Sequence, residues 1–213
     1  MFSIHDWLEK TQSLLRFFYV QRIRGFSPPA APSVDEPTEE WLTNTLRTAR
    51  SYIEFGAGGS TLLANRLQVP TVSVESDRFY AAAVRGALTH PELCTIITPP
   101  MGITRQWGTP LFRKASKGPF YVNAPFEFCA DQFPDLIFVD GRYRVACVLE
   151  SAVRAKAASA RSTLLLDDYD RTSYHVLEAY LGPPERIGRA AKFVLGDVAI
   201  DRSTVCRHSH DVR

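Results

Sequence analysis

The 213-residue sequence predicts an α/β domain, Rossmann-like and doubly wound, with a mainly parallel sheet covered by helices on both faces. Three observations lead there. Several short runs are apolar throughout rather than alternating, helical patterns separate most of them, and a glycine turn leads from the first run straight into a helix. A strand apolar on both faces needs cover on both, and intervening helices supply it.

From Thr38 the elements follow in order. "TEEWLTNTLRTA" (38–49) predicts a helix capped by Thr38. Strands are expected at "SYIEF" (51–55), "TVSVE" (71–75), "LCTII" (93–97), "DLIFVD" (135–140) and "STLLLD" (162–167). Helices are expected at "STLLANRL" (60–67), "DRFYAAAVRGALT" (77–89), "RVACVLESAVRAKAA" (144–158) and "SYHVLEAYL" (173–181). Residues 185–205 are less regular and predict one or two antiparallel edge strands. Residues 99–127, rich in glycine, proline and aromatics, are too long for a plain connector and predict a lid or substrate wall above the C-terminal sheet edge. Ahead of this domain (38–213), residues 1–37 form a helical extension and a proline-rich linker, "GFSPPAAPSVDEP".

Composition excludes several classes. With 45% hydrophobic and 23% charged residues the chain reads as soluble and globular, and a formal charge of +2 argues against nucleic acid as a partner. No apolar run reaches the length of a membrane span, and the N-terminus lacks a signal peptide's core. Cys94, Cys129, Cys147 and Cys206 are widely spaced and form no CxxC, which suits reduced thiols and a cytoplasmic location. The tail "CRHSH" groups Cys206, His208 and His210, but too few ligands are present for zinc, so a frayed terminus is expected. Residues 4–23 carry a helical stripe of Ile4, Leu8, Leu15 and Phe18, with Arg16, Arg22 and Arg24 nearby. Packing on its own domain or on a partner is favoured over a membrane surface for this stripe.

The chemistry concentrates in "YIEFGAGGSTLLANRL" (52–67). A strand that turns through Gly56, Gly58 and Gly59 into a helix makes a nucleotide-type site, with amides at the helix start facing a ligand. A nicotinamide fingerprint would need a third glycine where Thr61 stands. Glu54, ahead of the turn, suits a cationic ligand such as S-adenosylmethionine, and Glu75 at the end of the next strand suits the two hydroxyls of a ribose. Ser60 and Ser76 stand beside these groups as further cofactor contacts.

In "IEFGAGGST" and "VSVES" the chain resembles class I S-adenosylmethionine-dependent methyltransferases. "DLIFVDGRYR" and "LLLDDYDR" are similar to blocks in a little-characterised bacterial branch of that superfamily. The resemblance spans roughly residues 38–195. It implies a sheet of about seven strands, adenosylmethionine as cofactor, and cofactor contacts from Glu54, Gly56, Gly58 and Glu75. Many relatives carry an acid after the third strand to read adenine, where this chain offers only Thr98.

Asp140, Asp167 and Asp168 end the fourth and fifth predicted strands. In metal-dependent O-methyltransferases, acids at similar positions hold Mg²⁺ or Ca²⁺. Arg142, Arg144 and Arg171 lie beside them here, however, and guanidinium forks either neutralise the acids or bind an anionic substrate. The arginine version is favoured and no metal is assigned. Asp140, Asp168 and His175 are the catalytic candidates, with Arg142, Arg144, Arg171 and Trp107 on the substrate side. The expected activity is methyl transfer to an unidentified small molecule, with an anionic one favoured. A non-catalytic nucleoside-binding scaffold and a membrane-surface accessory protein using residues 1–25 are the rival classes.

Overall fold

The computed structural model describes residues 4–112, 115–129 and 132–212, with side chains except at 4–10 and 115. The described chain opens with α1 (Ile4–Tyr19), which widens into a π-type turn (Val20–Arg24) ended by Gly25 at φ 85°. An extended linker then leads to α2 (Glu36–Leu46). The glycine turn joins β1 (Tyr52–Phe55) to α3 (Gly59–Arg66), and β2 (Thr71–Val74), α4 (Arg78–Gly86) and β3 (Cys94–Ile97) follow. A small hairpin, β4 (Thr104–Arg105) with β5 (Thr109–Pro110), and α5 (Gly118–Asn123) occupy the long expected lid. Then come β6 (Leu136–Val139), α6 (Arg144–Ala157), β7 (Ser162–Leu166) and α7 (Glu178–Leu181). The chain closes with β8 (Glu185–Ile187), β9 (Ala190–Leu195) and α8 (Arg202–His208).

Seven strands form one sheet in the order β3-β2-β1-β6-β7-β9-β8. The five from β3 to β7 are parallel, and β9 runs antiparallel to both its neighbours. The antiparallel pairing expected at 185–205 is present, in the ladders β9 makes with β7 and with β8. Only β9 runs against the sheet, and it lies inside β8, which the tight β8–β9 hairpin places at the edge parallel to the rest. Alternate residues of each strand enter opposite layers. Ile53, Phe55, Ile137, Val139, Leu164 and Leu166 pack with α6 and Tyr121, while Tyr52, Leu136, Phe138 and Leu165 pack with Leu42, Leu46 and Ala64 of α2 and α3. Each such side chain contributes about 1.5–3 kcal/mol when buried, so both layers are needed.

Other expectations shift for local reasons. Helix α2 begins at Glu36 with Asp35 in the cap position, because Pro37 in the first turn already has helical φ. Thr38 is instead fully buried and donates to the Ile187 carbonyl at 2.9 Å. The helix expected at 173–181 is a 3₁₀ stretch (Thr172–Leu177) before α7. The tail is not frayed, since α8 packs on α6 and Val212 is buried. On α1 the partly buried row is Leu14, Phe17 and Phe18, and Leu15 of the expected stripe faces solvent; Ile4 and Leu8 have side chains outside the described residues. Among the described residues no helix is long and apolar enough to cross a membrane.

The backbones also approach closely at the diverging ends of β1 and β6. A Cβ on Gly141 would strike the Tyr121 hydroxyl and lie 2.8 Å from the Phe55 carbonyl carbon. Gly141→Ala should therefore cost about 1–3 kcal/mol of stability in urea unfolding. Gly58→Ala, whose Cβ would meet only the Tyr80 hydroxyl at 3.4 Å, should cost under about 1 kcal/mol.

Candidate functional site

Between β1 and β6 the sheet order reverses, and the chain leaves these neighbouring strands toward opposite sides. The crevice so formed is a cavity of about 410 Å³. The glycine turn makes its floor, Glu75 and Ser76 one wall, and Asp140 to Arg142 the opposite wall. Phe17 and Phe26 of the N-terminal segment, Tyr80, Trp107 and Tyr121 complete it. The Phe26 ring meets Tyr80 edge-on at 5.3 Å, so the extension closes one side of the site.

Glu54 does not line this cavity. It is fully buried behind the turn, because β1 register sets it opposite Ser73 of β2. One carboxylate oxygen accepts from Ser60 Oγ and from Tyr52 Oη (3.2 Å), the other from Thr61 Oγ1 and from Ser73 Oγ (2.9 Å). The Gly58 N–H in turn donates to Thr61 Oγ1 at 2.8 Å. The expected contact of Glu54 with a cofactor cation is thus replaced by a structural role: the acid holds the glycine turn from below. Burial pushes its pKa up to about 7 despite these hydrogen bonds.

The three glycines have different reasons. Gly56, at φ 107°, would put a Cβ 2.8 Å from the Gly141 backbone. Gly59 would strike the Ala31 carbonyl of the linker, so it serves packing of the extension. Gly58 has an extended φ of 172° and space beside it, so its bareness serves the cavity.

At the β2 end, Glu75 is 7% exposed, and burial raises its pKa to about 7. Its Oε1 accepts from the Asp77 N–H at 2.8 Å, leaving Oε2 without a protein partner among the described residues. Ser76 Oγ donates to the Gly108 carbonyl at 2.7 Å and so fastens the turn that carries Trp107, which is left-handed at φ 60°. Trp107 therefore stands at the Glu75 end rather than beside the arginines. Asp77, which also lines the cavity, is saturated. It caps α4 through Phe79 N (2.8 Å) and accepts from Gln21 Nε2 (2.6 Å) and Thr104 Oγ1 (2.9 Å). Thr98 lies in the neighbouring groove with Arg22 and Ser76.

On the opposite wall, Asp140, Asp167 and Asp168 bring carboxylate oxygens within 4.8 Å of one another. Arg144, itself buried, reaches Asp140 Oδ1 at 2.7 Å and Asp168 Oδ2 at 3.3 Å. Arg171 pairs with Asp168 at 2.5 Å, and Arg189 forks both oxygens of Asp167 at 2.8 and 2.6 Å. Three guanidinium groups thus occupy the donor set, and it does not fit a divalent ion. Sequence reasoning missed Arg189, which reaches the cluster only through the β8–β9 hairpin. Arg142 is no part of the cluster. It lines the cavity with a buried Nε that has no hydrogen-bond partner among the described residues, and burial, then Arg144, lowers its pKa.

Two catalytic candidates fall outside the cavity. Asp168 is held among Arg144, Arg171 and Arg189, while exposed His175 contacts the Tyr169 carbonyl at 3.1 Å. Asp140 remains on the wall, and burial drives its pKa up to about 7 against the lowering effect of Arg144. Neither Arg144 nor Arg171 faces the cavity; both are committed to the acids. Tyr80 and Tyr121 were missed as wall residues because only the fold brings α4 and α5 to this edge.

No protein-family model and no curated protein sequence matches the chain. Solved structures do. A methyltransferase-like protein of Silicibacter pomeroyi is 29% identical, with a TM-score of 0.75, over 88% of this chain and 99% of that one. A hypothetical protein of Thermus thermophilus is 15% identical over 83% and 94% of the two chains at a TM-score of 0.48. An S-adenosylmethionine-dependent methyltransferase of Neisseria gonorrhoeae is 14% identical over 79% and 71% at 0.43. The likeness to the Silicibacter protein covers 88% of this chain, so this chain shares the fold of a methyltransferase-like protein over most of its length.

Glu54, Glu75 and Asp140 share a raised pKa of about 7. A carboxyl raised on folding contributes stability below its unfolded pKa and loses it as pH rises through the folded value. The melting temperature of the free protein should therefore fall between about pH 5 and about pH 8. Glu75→Gln, which cannot ionise, should flatten that fall in differential scanning fluorimetry.

Proposed function

We propose that this chain, which has the class I methyltransferase fold, binds S-adenosylmethionine in the cavity between β1 and β6 and methylates a small anionic acceptor. The observation that carries the reading is the pairing, across one cavity, of Glu75 Oε2 with the buried Arg142 Nε, neither of which has a hydrogen-bond partner among the described residues. Glu75 Oε2 is set to accept from ribose hydroxyls, and the open face of Gly58 lets a ligand approach the main chain. Tyr80 and Trp107 supply apolar walls at that end.

When bound, adenosylmethionine supplies an electrophilic methyl on a sulfonium. Alignment is then the main demand on the protein. Arg142 holds an acceptor carboxylate or phosphate, which offsets the cost of burying its charge. Asp140, ionised above about pH 7, takes the proton from the acceptor as it is methylated. Arg144 keeps that carboxylate in place without entering the cavity. No metal is required, because Arg144, Arg171 and Arg189 already balance the three acids.

Titration calorimetry should give micromolar affinity for adenosylmethionine or its demethylated product, on the order of −8 kcal/mol. Glu75→Gln should weaken it by about 1–3 kcal/mol. Absence of heat for both ligands on folded protein would overturn the cofactor, whereas saturable binding without turnover would reassign the cavity to a nucleoside-binding role. Sulfate should raise the melting temperature in the parent but not in Arg142→Ala, and Mg²⁺ should leave it unchanged. Once an acceptor is found, Asp140→Asn should lower kcat by about 10²–10⁴-fold and remove the rise in rate near pH 7.

A further inference from the structure

The partly buried row of α1 is accounted for by packing; the opposite row, continued into the π-type turn, is not. Leu15, Tyr19 and Ile23, spaced four apart, are 64%, 54% and 75% exposed. The hairpin that touches this helix repeats the pattern. Its Gln106 donates to Ser13 Oγ at 3.0 Å, and around it Trp107 is 85%, Phe112 61% and Ile103 43% exposed. Soluble monomers seldom leave apolar side chains gathered in this way uncovered.

Charge identifies what covers them. Residues 11–28 and 98–118 contain no Asp or Glu, although the chain as a whole has 23 acids against 25 bases. Exposed Arg16, Arg22, Arg24 and Arg105 stand in these segments, and none makes an ion pair among the described residues. Arg22 is held over the Phe79 ring, 4.7 Å from its centroid, rather than neutralised. Apolar side chains set among unpaired arginines match a surface that is uniformly negative outside and apolar beneath. A second copy of this chain would bring arginine against arginine.

We propose that the C-terminal half of α1, the turn that follows it and the β4–β5 hairpin dock this protein on an anionic lipid bilayer, with this stretch of helix in the plane of the interface. Phe17 and Trp107 belong to these elements and also line the cavity, so docking sets the cavity at the membrane face. The inference rests on surface side chains and stands whether or not the cavity transfers methyl groups.

The test is cosedimentation of the full chain with phosphatidylcholine vesicles, with and without phosphatidylglycerol, at low and high salt. Binding is expected only with phosphatidylglycerol, and salt should release it. The double variants Leu15→Asp with Ile23→Asp, and Arg16→Ala with Arg24→Ala, should each lower partitioning by on the order of tenfold or more. Their melting temperatures should match the parent, since all four side chains are exposed. No binding to phosphatidylglycerol vesicles at low salt would overturn the proposal, as would equal binding by both variants. Parent self-association abolished by the aspartate pair would also overturn it, assigning the face to a second copy.

Discussion

The buried carboxylate of Glu54 is the constraint on which the site depends. An acid in a strand interior costs several kcal/mol unless its lone pairs are filled, and here four hydroxyls fill them. Those hydroxyls come from β1, β2 and the first turn of α3, so satisfying one carboxylate fixes three elements relative to one another. Thr61 passes the constraint on to the Gly58 amide. The open turn that a ligand could approach is therefore rigid because of a residue the ligand need not touch.

The opposite wall solves a similar problem differently. Three carboxylates at the ends of β6 and β7 would repel one another, and guanidinium groups from three separate places relieve this. Arg144 comes from α6, Arg171 from the loop after β7, and Arg189 from the β8–β9 hairpin. With every member paired, the cluster holds strand ends together and leaves two side chains on the cavity wall, Asp140 and Arg142. The unpartnered Nε of Arg142 stands out against this background of complete pairing.

The N-terminal extension belongs to the site as much as the sheet does. Gln21 and Thr104 share the Asp77 carboxylate, joining the segment after α1, the β4–β5 hairpin and the start of α4. Gly59 is bare because the linker crosses it at Ala31. A helix partly buried on one row and apolar again on the other has two environments to satisfy, its own domain and something outside it.

Local pattern sufficed for the five parallel strands, because runs such as "DLIFVD" and "STLLLD" are apolar on both faces and only a doubly covered sheet accommodates them. The glycine turn and the acids at strand ends were legible for the same reason: parallel topology carries strand ends to one edge. Which way each of those side chains points was not legible. Glu54 and Glu75 are both acids near strand ends, yet register buries the first against Ser73 while the second keeps one oxygen free. Arg142 and Arg144 are two residues apart, yet the left-handed Tyr143 between them sends one to the cavity and the other into the acid cluster. The sequence by itself determined the fold class, the position of the candidate site and the residue types available there. Only the tertiary structure decided which of those residues face the cavity, because that depends on hydrogen-bond partners such as Ser73 and Arg189 that are distant along the chain.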